Sequence, residues 1–200
     1  MKKTVLYRKS VLYINKIPRF YNRLSNKKTK NFIVNSFPKS GTHLLYQIFY
    51  KQAFVNDFKT FIASMPSTSK QPLSKAKILK KIKLITNNEL IRAHLYYDSD
   101  YNSIIDNDSI HFFIYRDPRD IVISEANYLF NMNKWHKLHY YFKQFDNLDD
   151  RIKFSIMGND FMETSVHYKN INNRFSDYKG WLDTNTLCVK YEDLVSNLDT

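Results

Sequence analysis

Two observations predict an α/β fold built on a parallel sheet. Four short apolar runs, near residues 31–36, 89–94, 110–116 and 186–191, have the length and composition of buried strands, and stretches with helical spacing separate them. Two of these runs pass through a tight turn directly into a helix, the unit from which parallel sheets with right-handed crossovers are assembled.

The first such unit is Phe32-Ile33-Val34-Asn35-Ser36-Phe37-Pro38-Lys39-Ser40-Gly41-Thr42-His43-Leu44-Leu45, and it holds one of only 3 glycines in the chain. Leu44, Leu45, Ile48 and Phe49 recur as they would on a helix laid against a sheet. In the turn between, the backbone N–H groups from Lys39 to His43 converge at a helix N-terminus, where Gly41 allows close approach of an anion. The loop departs from the triphosphate-binding pattern G-x-x-x-x-G-K-[ST]: Thr42 follows the last glycine and the lysine lies ahead of it, at Lys39. A chance turn of this composition is the alternative.

The second unit ends the run Ile110 to Tyr115 with Arg116-Asp117-Pro118-Arg119-Asp120 and continues into a helical stretch through Ser124 to Phe130. Asp117 fits an N-cap and Pro118 the first helical position, where a missing N–H costs nothing. Arg116 offers a planar fork suited to phosphate, or else pairs with Asp117 or Asp120 on the surface. A third segment, Glu89-Leu90-Ile91-Arg92-Ala93-His94-Leu95, brings a histidine to the C-terminal end of a strand, the edge where open α/β sheets bind ligands. His94 is either functional or a satisfied structural histidine; His43, His111, His136, His139 and His167 have weaker claims. The fourth segment, Thr186 to Val189 followed by Lys190-Tyr191-Glu192-Asp193-Leu194, is a strand end with a polar turn in which Asp193 could cap a helix.

In their order along the chain, these four segments resemble the sulfotransferases that use 3′-phosphoadenosine 5′-phosphosulfate as donor. The resemblance covers residues 31 to 194 and implies a P-loop type three-layer sandwich with a central parallel sheet, as in sulfotransferases and nucleotide kinases. It implies that Lys39, Ser40, Gly41, Thr42 and His43 bind the donor's 5′-phosphosulfate, that Arg116 and Ser124 grip its 3′-phosphate, and that Tyr191 lies near the adenine. His94 matches the catalytic base, and Lys39 the cation at the leaving phosphate oxygen. Two departures stand out: Leu44 replaces an aromatic residue that stacks on adenine in many members, and the glycine-rich closing segment is not found before Thr200. Val195 to Thr200 reads as the opening of a helix cut short. The expectation is an incomplete domain that binds the donor weakly and turns over little.

Composition sets the remaining bounds. The 200 residues, 43% hydrophobic and 16% aromatic, suffice for one core and one domain, with residues 1–30 as a basic lead-in and 31–200 as the sulfotransferase-like domain. No apolar stretch approaches the ~18 residues of a membrane span, and Val5-Leu6-Tyr7 is too short for a signal-peptide core. Cys188, the single cysteine, sits in an expected buried strand and permits no internal disulfide, so a cytoplasmic, reducing setting is the simpler reading. No Cys/His cluster has ligand spacing, and no metal is expected.

A net charge of +12 attracts anions such as the donor. The lead-in and the amphipathic run Lys75 to Lys83 could also touch an acidic glycan, a membrane surface or nucleic acid, or could reflect general composition. Residues 56 to 88 read as a mobile, helical insertion punctuated by Pro66, Ser67, Ser69 and Pro72. Tyr168, Ile171, Phe175, Tyr178 and Leu182 have the spacing of one amphipathic helix. Trp135, Tyr140, Tyr141 and Phe142 line an acceptor pocket or belong to the core. The function expected is sulfuryl transfer to a hydroxyl or amine of a small molecule or glycan. The alternatives are a basic nucleic-acid-binding module and an atypical nucleotide kinase, for which the missing lysine after Gly41 is poor equipment. The acceptor and the oligomeric state are not legible.

Overall fold

A computed structural model of the chain describes residues 18, 20–22, 29–64, 73–159 and 167–197. Its centre is a five-stranded parallel sheet in the order β2-β3-β1-β4-β5, formed by β1 (Asn31–Ser36), β2 (Asn56–Ala63), β3 (Glu89–His94), β4 (Ser109–Tyr115) and β5 (Leu187–Lys190). β1 lies in the middle, with Asn35 opposite both Ala93 and Phe113. The strand ends that carry the Lys39–Gly41 loop, His94 and Arg116 are therefore neighbours.

The period-2 alternation of the strands decides what each face buries. One face sends Ile33, Ile91, Ala93 and Phe113 into a core with α2 (Lys75–Lys83) and α3 (Ser99–Asp108), through Ile78, Ile82, Tyr101 and Ile105. The opposite face sends Val34, Leu90 and Ile114 against Leu45 and Tyr46 of α1 (Thr42–Tyr50), with Leu194 of α8 (Tyr191–Ser196) packed beside them. Helices thus cover both faces, which makes the three layers of the predicted sandwich. A satellite core forms where α4 (Pro118–Asn127) and the π-helical turn Tyr128–Met132 meet α5 (His139–Phe142) and α6 (Leu148–Met157) around Leu129, Phe142, Phe154 and Tyr168.

Four expectations need correction. Residues 56 to 63 are not a helical insertion but the edge strand β2, which buries only Ile62 and Ala63 and has a register shift between Asn56 and Thr60. So little apolar surface leaves a weak periodic signal. Pro66, Ser67, Ser69 and Pro72 lie outside the described residues, as does nearly all of the lead-in. The run from Tyr168 to Leu182 is not one helix: α7 (Ile171–Ser176) stops and a 3-10 helix, Lys179–Asp183, follows, because Tyr178 and Trp181 turn inward while Leu182 is exposed. Cys188 is exposed rather than buried, since β5 is the last strand of the sheet. The final helix does not open at Val195 but starts at Tyr191 and spans the polar turn itself, with Lys190 rather than Asp193 as its N-cap.

Among the described residues no helix is long and apolar enough to cross a membrane. Lys75 to Lys83 does form the expected amphipathic helix, on Ile78 and Ile82. Lys75 is tied to Asp98 at 2.7 Å and Asp100 at 2.8 Å.

Candidate active site

The loop between β1 and α1, the candidate phosphate cradle, is shaped by two left-handed residues. Gly41, the N-cap of α1, has φ 93° and ψ 23°, and Lys39 has φ 72°, a conformation that a side chain with a Cβ rarely adopts. Between them Ser40 is fully buried, its N–H bonded to the Phe37 carbonyl at 3.2 Å. The first N–H groups of α1, at Thr42 and His43, have no intrahelical acceptor and face the sheet's C-terminal edge. The Ser40 Oγ is buried without a hydrogen-bond partner among the described residues, as is Nε of Arg116. Two orphaned donors beside a helix N-terminus fit an anion with several oxygens.

His94 is held from one side. Its Nδ1 lies 3.0 Å from the Ser36 carbonyl oxygen and 3.0 Å from the Ser36 hydroxyl. A carbonyl only accepts, so Nδ1 carries the proton and the lone pair falls on Nε2. Burial pushes the imidazole down to about 4, against the Ser36 carbonyl bond and with help from neighbouring His43, Arg92 and Lys39. A ring of that kind is neutral at pH 7. Asn35 fixes the platform: its side chain accepts from the Leu95 N–H at 2.9 Å and donates to the Leu95 carbonyl at 3.3 Å, stitching β1 to β3 beside His94.

The ammonium of Lys39 lies 3.6 Å from the centre of the Tyr128 ring, in cation–π geometry. Burial lowers its pKa; the carboxylate of Glu125 opposes this and Arg116 adds to it. Glu125 is itself buried, and accepts from Arg174 at 2.7 Å, Tyr168 at 2.6 Å and Ser155 at 2.9 Å. Burial pushes its carboxyl up, but Arg174 and the two hydroxyl donors leave it below the ordinary carboxylate range.

Asp117 caps α4 as expected, accepting from the Arg119 N–H at 2.8 Å with Pro118 in the first turn. Arg116 stacks on Tyr191, 4.4 Å from the ring centre, and reaches Asp120 only at 3.4 Å. The surface pairing considered for Arg116 is thus long, and Asp117 is taken by Arg119. Tyr191 also packs on Gly41, and the Asp117 N–H donates to Glu192 at 3.3 Å, so the fourth segment touches the first and second. Lys39, Gly41, Thr42, His94, Arg116 and Tyr191 converge on one sheet edge. His43 lies on the rim, and Ser124 is half-buried on α4 with no hydrogen bond, ion pair or ring contact to the others. His111 and His136 are held away from the convergent group: His111 Nδ1 bonds Thr186 Oγ1 at 2.8 Å while its Nε2 is buried without a partner among the described residues, and His136 Nδ1 accepts from the Leu138 N–H at 3.0 Å. Phe142 belongs to the core, whereas Trp135 and Tyr140 are exposed.

Sequence reasoning missed Ser36, Asn35, Arg92, Tyr128 and the Glu125–Arg174 pair. Arg92 stacks on Tyr46 at 4.7 Å on the same face of β3 as His94. The one available signal was a small hydroxyl residue closing an apolar strand just ahead of a phosphate loop.

No curated protein matches the chain. Among solved structures, it is similar to the crystal structure of the mouse sulfotransferase SULT7A1 complexed with PAP, with a TM-score of 0.56 at 17% identity over 88% of this chain. The chain spans 57% of that structure's length. A family model for the sulfotransferase domain matches residues 29–200, a stretch that includes every convergent side chain described above. The chain belongs to the sulfotransferase domain family.

Proposed function

We propose that the chain transfers a sulfuryl group from 3′-phosphoadenosine 5′-phosphosulfate to a hydroxyl or amine of a small molecule or glycan. The observation that carries this reading is His94: its Nδ1–H is committed to the Ser36 carbonyl at 3.0 Å, which leaves Nε2 as a base at the end of the strand beside the phosphate loop. Nε2 takes the acceptor's proton while the acceptor oxygen or nitrogen attacks sulfur in line. The new bond to sulfur forms as the bond from sulfur to the 5′-phosphate oxygen breaks. Lys39 and the N–H groups of Ser40 to His43 stabilise the charge that develops on that leaving oxygen. Arg116 and Ser124 hold the 3′-phosphate, and Tyr191 lies toward the adenine; together they keep sulfur in register with His94. A mouse relative of the same fold is a sulfotransferase complexed with PAP, which supports this donor. A cytoplasmic, reducing setting belongs to the same reading, on the lone Cys188.

Calorimetric titration with adenosine 3′,5′-bisphosphate beside ATP tests it. Binding of the bisphosphate alone is expected; equal affinity for both, or none for the bisphosphate, would overturn it.

A further inference from the structure

We propose that Ser36 is a positioning residue: its hydroxyl links the imidazole of His94 to the hydroxyl of Thr42 and so aims the Thr42 proton at the anion in the phosphate loop. The inference rests on the donor reading above and adds a residue to it.

Three hydrogen-bonding groups lie in a row on the α1 face of the sheet. His94 Nδ1 is 3.0 Å from Ser36 Oγ, and Ser36 Oγ is 2.5 Å from Thr42 Oγ1. Ser36 is fully buried and Thr42 nearly so, which removes water as a competing partner. The direction of the row follows from one group. Because Nδ1 also faces the Ser36 carbonyl, it must carry its proton, and the Ser36 hydroxyl beside it can only accept there. The single Ser36 proton then goes to Thr42 Oγ1. With that oxygen accepting from Ser36, the Thr42 proton is left for another acceptor, and Thr42 stands in the first turn of α1, beside the loop.

The arrangement couples the two ends of the reaction without moving a proton along the row. When His94 Nε2 takes a proton, the imidazolium makes Nδ1–H a stronger donor, which polarises Ser36 and in turn the Thr42 hydroxyl. The donation from Thr42 to the leaving phosphate oxygen strengthens as negative charge arrives there.

The test is a double-substitution cycle read by affinity for adenosine 3′,5′-bisphosphate, which needs no acceptor. Ser36→Ala and Thr42→Val are each expected to weaken binding roughly three- to tenfold, the range of a lost hydrogen bond. Their combination is expected to be no weaker than Thr42→Val alone within about twofold, because Ser36 acts through Thr42. Ser36→Thr keeps the hydroxyl and is expected to bind like the unchanged protein. Fully additive losses, or no loss in Ser36→Ala, would overturn the proposal. The ¹⁵N shifts of His94 in the unchanged protein give an independent reading: the Nδ1–H tautomer is expected, and a dominant Nε2–H tautomer would reverse the row and refute the inference. Failure of the unchanged protein to bind the bisphosphate would instead remove the donor reading itself, and this proposal with it.

Discussion

Gly41 and Tyr191 are packed with no room for a side chain between them: a Cβ placed on Gly41 would lie 2.7 Å from Cε2 of the Tyr191 ring and closer still to Cδ2. The ring on which Arg116 stacks thus also rests on the bare backbone of the loop between β1 and α1. One residue type satisfies both the φ of 93° and this approach.

Gly41→Ala is therefore expected to destabilise the fold by about 1–3 kcal/mol, the range for a strained left-handed residue, and to weaken bisphosphate binding by displacing Tyr191 and Arg116. Urea denaturation and calorimetry on the same sample measure both. An alanine variant with unchanged stability and affinity would show that the loop relaxes without involving Tyr191.

For His94→Ala the expectation is a turnover loss of about 10²–10⁴, with bisphosphate affinity within a few-fold, because a base contributes to rate rather than to binding. With its pKa near 4, the ring stays in its base form from neutral pH downward, so the His94-dependent fall in kcat is expected only as pH approaches about 4. A limb centred near 6.5 would mean that another group, or a differently solvated His94, supplies the base.

The two cations separate by readout. Lys39→Ala should lower kcat most, whereas Arg116→Ala should mainly weaken the bisphosphate, by roughly 1.5–3 kcal/mol for a lost charge-assisted bond. Wild-type affinity in Arg116→Ala would remove it from the 3′-phosphate grip.

Acid should unfold the protein through its histidines. Burial holds His94 near 4, His111 near 3 and His136 near 4, below the ordinary value of 6.5. Over that interval the unfolded chain binds more protons than the folded one. The stabilisation is thus complete above about pH 6.5 and is lost as pH falls toward 4 and then 3, with a slope approaching ~1.4 kcal/mol per pH unit for each group. His111→Asn is expected to flatten the urea-denaturation slope between pH 6 and 4 by one group's share. An unaltered slope would rule out His111 as a contributor.

What the sequence disclosed followed how local the signal was. β1, β3 and β4 were legible because each is a run of buried residues, and the α4 cap because Asp117 and Pro118 announce it within two positions. β2 was not, since it buries two residues at an edge and shifts register between Asn56 and Thr60. In the candidate site, the loop's place ahead of α1 and that of His94 at the end of β3 could be read from the strand and helix patterns, but the tautomer of His94 depends on a carbonyl in another strand. The Glu125–Arg174 pair joins α4 to α7 through a buried contact to which no periodicity corresponds.

The Leu95 carbonyl, one residue past His94, accepts from both Asn35 of β1 and Nε1 of Trp181 in the 3-10 helix. The backbone that follows His94 is thereby a fixed post, braced by the central strand and by a wholly buried indole. If His94 is the base proposed above, an acceptor must bring its nucleophile to that post, because the bracing leaves the post little freedom to follow the acceptor.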